Sequence, residues 1–263
     1  MQEKSEKPDP GTEISAAEPR PDRLSSLMER FSLRVGDAAA VGRLAVIGGP
    51  GPEARFWPLG QRSCPALDGA LVLGVDWGGA ENPLLSALPQ CVVLSAEQDA
   101  ETGALIHLIQ AEAEAARCGV EGVLARLTEV LLIRLLRAEI ERGAQETGLI
   151  GGLACPRISR ALVAIHGAPG RAWTNRDLAG EAGLSLSRFT ELFAARVGET
   201  PKAYLRRWRL TLARQQLVRG ARVGRVAHAL GYGSAEALTR AFQARYGEAP
   251  RDLRMAAAAG EAL

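Results

Sequence analysis

The feature that most constrains the fold of this chain is an internal repeat in its C-terminal third. Residues 178–201 read LAGEAGLSLSRFTELFAARVGETP, and residues 223–250 read VGRVAHALGYGSAEALTRAFQARYGEAP. Gly231 follows Gly183 by 48 positions, whereas the apolar residues beyond it follow their counterparts by 49, as Phe242 follows Phe193. Because the one-residue difference falls in a turn, where insertions are tolerated, the two stretches are copies of one structural unit.

Each copy has the pattern of two short helices joined by a glycine-containing turn. Glycine suits such a turn because it adopts positive φ without steric penalty. In the second copy, Leu238, Ala241 and Phe242 recur at helical spacing, which predicts the buried face of the second helix. The opposite face carries Ala235, Glu236, Thr239, Arg240 and Gln243. A helix-turn-helix of this kind holds one helix so that its outer face can enter the major groove of DNA.

A single long helix is predicted between the copies, over residues 200–218. Thr200 is a suitable N-cap, Pro201 fits the first turn, and apolar residues recur at steps of three and four. Four cations near its start are candidates for contacts with DNA phosphates: Lys202, Arg206, Arg207 and Arg209. The alternative is that they form an ordinary solvated face of a basic helix.

Charge is divided unevenly along the chain, whose overall net charge is +2. Residues 1–155 carry 14 Lys and Arg against 22 Asp and Glu, a net charge of −8. Residues 156–255 carry 18 against 7, a net charge of +11. A polyanion, most simply double-stranded DNA, is therefore expected as a partner of the C-terminal part alone.

The run SLSRFTELFAARVGETPKAYLRRWRL at residues 185–210, followed by the second copy, resembles the AraC/XylS-type bacterial transcription regulators. The resemblance extends over residues 156–254. It implies an all-α domain of seven helices that places two recognition helices in neighbouring major-groove segments, most often to activate transcription. The base-reading positions that it implies are Ser187, Thr190, Glu191, Ala235, Glu236 and Arg240. The phosphate contacts predicted besides the four cations above are Ser185, Arg188, Ser234 and Thr239.

The chemistry of the base-reading positions is uneven. Arg240 can donate two hydrogen bonds to guanine O6 and N7, a contact worth about 1–3 kcal/mol of discrimination. Glu191 and Glu236 can accept from cytosine N4 and would act mainly by excluding other bases. A surface ion pair with Glu236, one turn earlier, is an alternative role for Arg240, and the two roles are compatible.

The N-terminal part has a different pattern. Residues 24–95 contain β-type runs at 41–49, 70–79 and 90–95, and residues 100–142 have the pattern of two helices. This order resembles a cupin-type sensor domain found in one branch of the same regulators. The roughly 40 residues between 35 and 75 are too few for a complete barrel. The predicted fold class is therefore α+β: a small β-rich, degenerate cupin-like domain with two helices, then an all-α double helix-turn-helix domain.

The predicted domain organisation has four parts. Residues 1–22 form a disordered tail, residues 23–148 a truncated cupin-like sensor and dimerisation domain, residues 153–255 the DNA-binding domain, and residues 256–263 a second tail. The helix predicted near residues 121–142 is apolar around much of its circumference. That pattern is explained equally well by packing within the domain and by a homodimer contact.

The sequence gives no support for a cofactor, a metal site or a membrane span. The four cysteines and three histidines are scattered, and no run of 18 uncharged apolar residues occurs. We therefore expect a cytoplasmic, sequence-specific regulator that is not an enzyme, with DNA and RNA polymerase as partners and no assigned small-molecule effector. One alternative is a regulator controlled by a protein partner. Another is a DNA-repair or DNA-modifying enzyme, which would need an activated cysteine motif that the sequence lacks.

Overall fold

A computed structural model of the protein describes residues 22–28, 30–31, 33–36, 42–59, 69–77, 82–97, 99–143, 147–253 and 255. The two predicted tails, 1–22 and 256–263, lie outside the described residues apart from Asp22. Within the described ranges, no helix has both the length and the apolarity that crossing a membrane requires.

Among the described residues of the N-terminal part, five antiparallel strands form one sheet. They are β1 (Arg34–Val35), β2 (Gly42–Ile47), β3 (Glu53–Trp57), β4 (Leu71–Asp76) and β5 (Val92–Ser95). The sheet order is β1-β4-β2-β3-β5, so Leu44 of β2 pairs with Phe56 of β3 on one side and with Leu73 of β4 on the other. All three of these side chains are buried. The predicted fold class is confirmed, because a small antiparallel sheet precedes a helical region.

Three helices accompany the sheet: α2 (Pro83–Ala87), α3 (Ala100–Ala115) and α4 (Val120–Arg142). The helix pair predicted within residues 100–142 is therefore present as α3 and α4. Both helices contact β5, and α4 also contacts β1. One face of α4 is buried through Leu131, Leu135 and Ile140, whereas Val123 and Val130 are 40% and 46% exposed. Part of the apolar surface of α4 is thus left uncovered by the described residues.

The remaining chain is helical. Its helices are α5 (Leu149–Ala154), α6 (Pro156–Gly167), α7 (Asn175–Ala182), α8 (Leu186–Val197), α9 (Pro201–Val218), α10 (Val223–Ala229) and α11 (Ala235–Tyr246). Helix α5 contacts α4 on one side and α6 and α8 on the other. At Gly152, an added Cβ would lie only 2.8 Å from Val197 Cγ2. Helix α5 is therefore tightly packed against its neighbours.

The segment around α1 (Ser25–Met28) joins the sheet to the helical region. Trp77, directly after β4, donates from Nε1 to the Phe31 carbonyl at 2.9 Å. The buried Phe31 ring lies 5.9 Å from the ring of Trp208 in α9. Gln215 of α9 donates to the Arg30 carbonyl at 2.8 Å, and Arg30 Nη2 donates to the two last carbonyls of α6. One apolar core consequently extends through both parts of the protein.

At this junction, His166 of α6 is fully buried. Its Nε2 lies 2.5 Å from Tyr204 Oη, and its ring lies 4.6 Å from the ring of Trp208. Burial lowers the pKa of His166 to about 3, and the positive charges of Arg207 and Arg30 contribute in the same direction. Burial also raises the pKa of Tyr204. Both side chains are therefore neutral at pH 7, and their hydrogen bond joins two uncharged groups.

We predict that His166 makes the fold sensitive to acid. An unfolded histidine has a pKa near 6.5, whereas the folded pKa is about 3. The unfolded chain therefore binds one proton more, and stability that is complete above about pH 6.5 is lost progressively down to about pH 3. Between about pH 6 and pH 4, this residue alone should lower the free energy of unfolding by about 1.4 kcal/mol per pH unit.

Urea denaturation at several pH values measures this effect. His166→Gln should show the shallower pH dependence, while His228→Gln, at an exposed position, should keep the slope of the unmodified protein. Equal slopes for His166→Gln and the unmodified protein would show that His166 does not cause the effect.

Candidate nucleic-acid interface

The first helix-turn-helix consists of α7 and α8. Helix α7 begins at a capping box in which Thr174 and Asp177 each accept the other's backbone N–H. It ends at Gly183, whose φ of +62° lies in the left-handed region that glycine tolerates best. Ser185 then caps α8 by accepting from the N–H of Arg188. The turn that the sequence predicted is therefore fixed by local hydrogen bonds at both of its ends.

One face of α8 is buried and the opposite face is free. The buried residues are Phe189, Phe193 and Val197. On the other face, Ser187, Arg188 and Glu191 are exposed and Thr190 is half-buried. Arg188 and Glu191 form an ion pair at 3.0 Å, while the Thr190 hydroxyl donates to carbonyls of its own helix. Because that ion pair is solvated, it contributes little stability and leaves both side chains able to rearrange around a ligand.

The second helix-turn-helix, α10 and α11, repeats this construction. Gly231 has a φ of +72°, and Ser234 caps α11 by accepting from the N–H of Ala237. Leu238 and Phe242 form the buried face. The predicted contact residues on the outer side are the exposed Glu236 and Arg240 and the half-buried Ala235 and Thr239. The two outer helices α8 and α11, called the reader helices below, thus have the same length and the same capping residues.

Electrostatics at the second reader helix favour an ionised Glu236. Its pKa is lowered by hydrogen bonds from the Ser234 hydroxyl and from a backbone N–H, and by the charge of Arg240. Glu236 and Arg240 form no direct ion pair, although both lie within the described chain. The alternative role predicted for Arg240, an ion pair with Glu236, is therefore absent, and its guanidinium projects from an exposed surface.

Helix α9 connects the two units as predicted. Thr200 caps it by accepting from the N–H of Ala203, and Pro201 occupies its first turn. The apolar stripe is buried: Tyr204, Leu205, Trp208, Leu212 and Leu217. Lys202 and Arg206 are exposed near its start, which is the arrangement expected for phosphate contacts.

Two of the four cations predicted to bind phosphate are engaged inside the protein. Arg207 is half-buried, pairs with Glu199 at 2.6 Å, and lies over the ring of Tyr204. Arg209 donates from Nε to the Pro169 carbonyl at 2.7 Å and from Nη2 to the Arg171 carbonyl at 2.8 Å. Burial also lowers the pKa of Arg209. Sequence spacing placed these residues beside Arg206 but did not reveal that their N–H groups have acceptors within the fold.

Comparison with known families divides the chain in the same way as the structure does. A family described as a helix-turn-helix domain matches residues 178–256, which contain both reader helices. A family described as cupin matches residues 77–141, from the end of β4 to the end of α4. The helical region therefore matches a helix-turn-helix family, and the N-terminal region is cupin-like.

Relatives named as AraC-like regulators confirm the resemblance read from the sequence, and the matches cover part of each chain. A protein of Streptomyces lividans named as an AraC-like transcription regulator is 42% identical over 130 residues, covering 49% of this chain and 43% of that protein. The transcriptional regulator AlkR of Acinetobacter baylyi is 30% identical over 178 residues, covering 66% of this chain and 58% of that protein. The chain thus spans about half the length of these relatives. A solved transcriptional regulator from Chromobacterium violaceum is 23% identical over 39% of this chain and 93% of its own, with a TM-score of 0.37.

The helical region also contains a loop whose contacts were not apparent from the sequence. Between α6 and α7, Trp173 Nε1 donates to the Ala168 carbonyl at 2.9 Å, and the Arg171 guanidinium lies 3.9 Å from the Trp173 ring centre. The dipeptide Pro169-Gly170 was the available sign of a tight turn here.

Among the described residues, no group of three His, Cys, Asp or Glu side chains could hold a metal ion.

Proposed function

We propose that this protein is a sequence-specific DNA-binding transcription regulator that reads two adjacent major-groove segments with α8 and α11. The observation that supports the proposal is the equivalence of these two helices. Each has 12 residues, a serine N-cap, a glycine C-cap and two or three buried apolar residues beneath an uncovered polar face. A helix held in this way can present its outer side chains to base edges.

The exposure of each side chain indicates its proposed role in phosphate contact or base reading. Lys202 and Arg206 contact phosphates, which supplies affinity without sequence preference. Arg240 reads guanine, and Glu191 and Glu236 exclude bases that cannot donate to a carboxylate. The serine caps Ser185 and Ser234 lie at the helix N-termini, where backbone N–H groups favour a phosphate oxygen.

From the family resemblance, we also propose that the protein is cytoplasmic, has no catalytic function and activates transcription together with RNA polymerase. Transcript yield from a promoter carrying the bound sequence, with and without the protein, measures that part.

A small-molecule effector is not included. Two clefts lined by described residues, of about 670 and 460 Å³, lie along α4, and both have Arg137 and Glu141 in their walls. Because charged walls of this kind suit a polar surface better than an apolar metabolite, we propose control by a protein partner.

We further propose that the protein is a homodimer held through α4. Val123 and Val130 are exposed, and the half-buried Leu127 lies between them on the same helical face. A second copy of this stripe would cover all three side chains. The isologous contact would bring two AraC-type domains together.

Substitutions at Arg240 and Arg206 test the proposed division of labour. Arg240→Ala should relax specificity at one base pair, with about 1–3 kcal/mol less discrimination there. Arg206→Ala should weaken binding to all sequences alike and reduce the slope of log K against log salt by about one. Binding titrations on a set of single-base variants of the operator, at several salt concentrations, measure both. Equal losses on all sequences for Arg240→Ala would contradict its assignment as a base reader.

Val130→Arg tests the homodimer. The buried charge should convert a dimer into a monomer, as measured by sedimentation velocity, because an unpaired arginine in an apolar contact is costly. Leu108→Arg, at a 52% exposed position of α3, is the control and should leave the dimer intact. A monomeric unmodified protein at micromolar concentration would refute this part of the proposal.

A further inference from the structure

The loop that precedes the first helix-turn-helix unit contacts the turn of the second unit at two glycines that are far apart in sequence. Gly170 lies in the loop between α6 and α7, and Gly231 lies in the turn between α10 and α11. A Cβ added at Gly170 would lie 2.3 Å from the Ala229 carbonyl oxygen, and one added at Gly231 would lie 2.3 Å from the Gly170 carbonyl oxygen. Neither distance leaves room for a side chain, so the two backbones are in contact.

Arg209 of α9 holds the loop side of this contact in place. It donates to the carbonyls of Pro169 and Arg171, which flank Gly170. Its Nη2 is also 3.1 Å from the position that a Cβ on Gly231 would take. The Arg209 guanidinium, which α9 carries, therefore contacts both the loop before α7 and the turn between α10 and α11.

A second connection between the units has a mechanical consequence. Helix α9 ends at Val218, and Gly220, with a φ of +82°, separates it from α10. Gly220 allows the backbone to rotate between α9 and α10, so the packing of α10 against α9 alone would set the orientation of the second unit. A second point of contact, away from the axis of α9, restrains that rotation.

We propose that the Gly170–Gly231 contact, clamped by Arg209, sets the relative rotation of the reader helices and thereby the spacing between the two DNA segments that the protein accepts. This inference rests on the proposed function. DNA turns once in about 10–10.5 base pairs, so one added base pair rotates the second segment by about 35° and moves it by about 3.4 Å. Gly170, Gly231 and Arg209 are positioning residues, since they act through α8 and α11 and not on DNA.

The test uses the full chain and duplexes with two boxes at the preferred spacing and with one base pair removed or added. The unmodified protein should lose about tenfold or more in affinity when the spacing changes, since one reader helix then loses its base contacts. Gly170→Ala and Arg209→Gln should bind the preferred spacing more weakly and lose less than about threefold on changing it. The matched control is Gly224→Ala in α10, where an added Cβ meets no atom within 4 Å, and it should behave as the unmodified protein.

The affinity for a duplex with a single box distinguishes a change in the relative orientation of the two units from partial unfolding of the protein. It should be the same for all four proteins, because one reader helix does not depend on the clamp. If Gly170→Ala lowers single-box affinity as well, the variant is partly unfolded, and Arg209→Gln then decides, because it removes hydrogen bonds without adding volume.

Two results would overturn the inference while leaving the proposed function intact. One is a folded Arg209→Gln protein that keeps the full spacing preference. The other is an Arg209→Gln protein that loses affinity equally on every duplex with a salt slope smaller by about one, which would make Arg209 a phosphate contact. An unmodified protein without any spacing preference would instead refute the two-segment mechanism itself.

Discussion

The buried face of α9 is the constraint on which the rest of the structure depends. Tyr204 meets Phe193 of α8 edge-on at 5.9 Å and hydrogen-bonds to His166 of α6. One turn later, Trp208 packs against His166 and against Phe31 of the N-terminal segment. These contacts bring α6, α8, α9 and the segment after α1 to one aromatic cluster. A change in the cupin-like domain that displaced Phe31 would therefore act on the same helix that carries both DNA-binding units.

The contacts that the basic surface can make depend more on which cations are exposed than on how many cations there are. The C-terminal part has a net charge of +11, but Arg207 and Arg209 are bound to acceptors within the protein. Their acceptors lie within the helical region, while Lys202, Arg206 and Arg240 remain at the surface. In the proposed function, all of these cations contribute to a long-range attraction toward DNA, because that attraction depends on net charge. Short-range contacts are restricted to the exposed ones.

The repeat, its turn glycines, the caps of α8 and α9 and the buried stripe of α9 were predictable, since each follows from local spacing and capping chemistry. Strand β3 was not predicted, because Glu53 and Arg55 interrupt its apolar residues and their mutual ion pair is visible only in the sheet. Helix α5 is six residues long and contains two glycines, so its stability comes from packing against α4 and α8 and not from propensity. The roles of Phe31 and Arg209 depend on partners 177 and about 40 residues away, which no local pattern specifies.

We propose that the two reader helices, held on one rigid support, select two DNA segments together. Sequences bound by the full chain can be selected from a pool of random duplexes. A motif with two boxes whose centres lie about one helical turn, or about 10–10.5 base pairs, apart at a fixed spacing should then be enriched. Enrichment of a single box, or of two boxes at freely varying spacing, would show that the two helices do not act together.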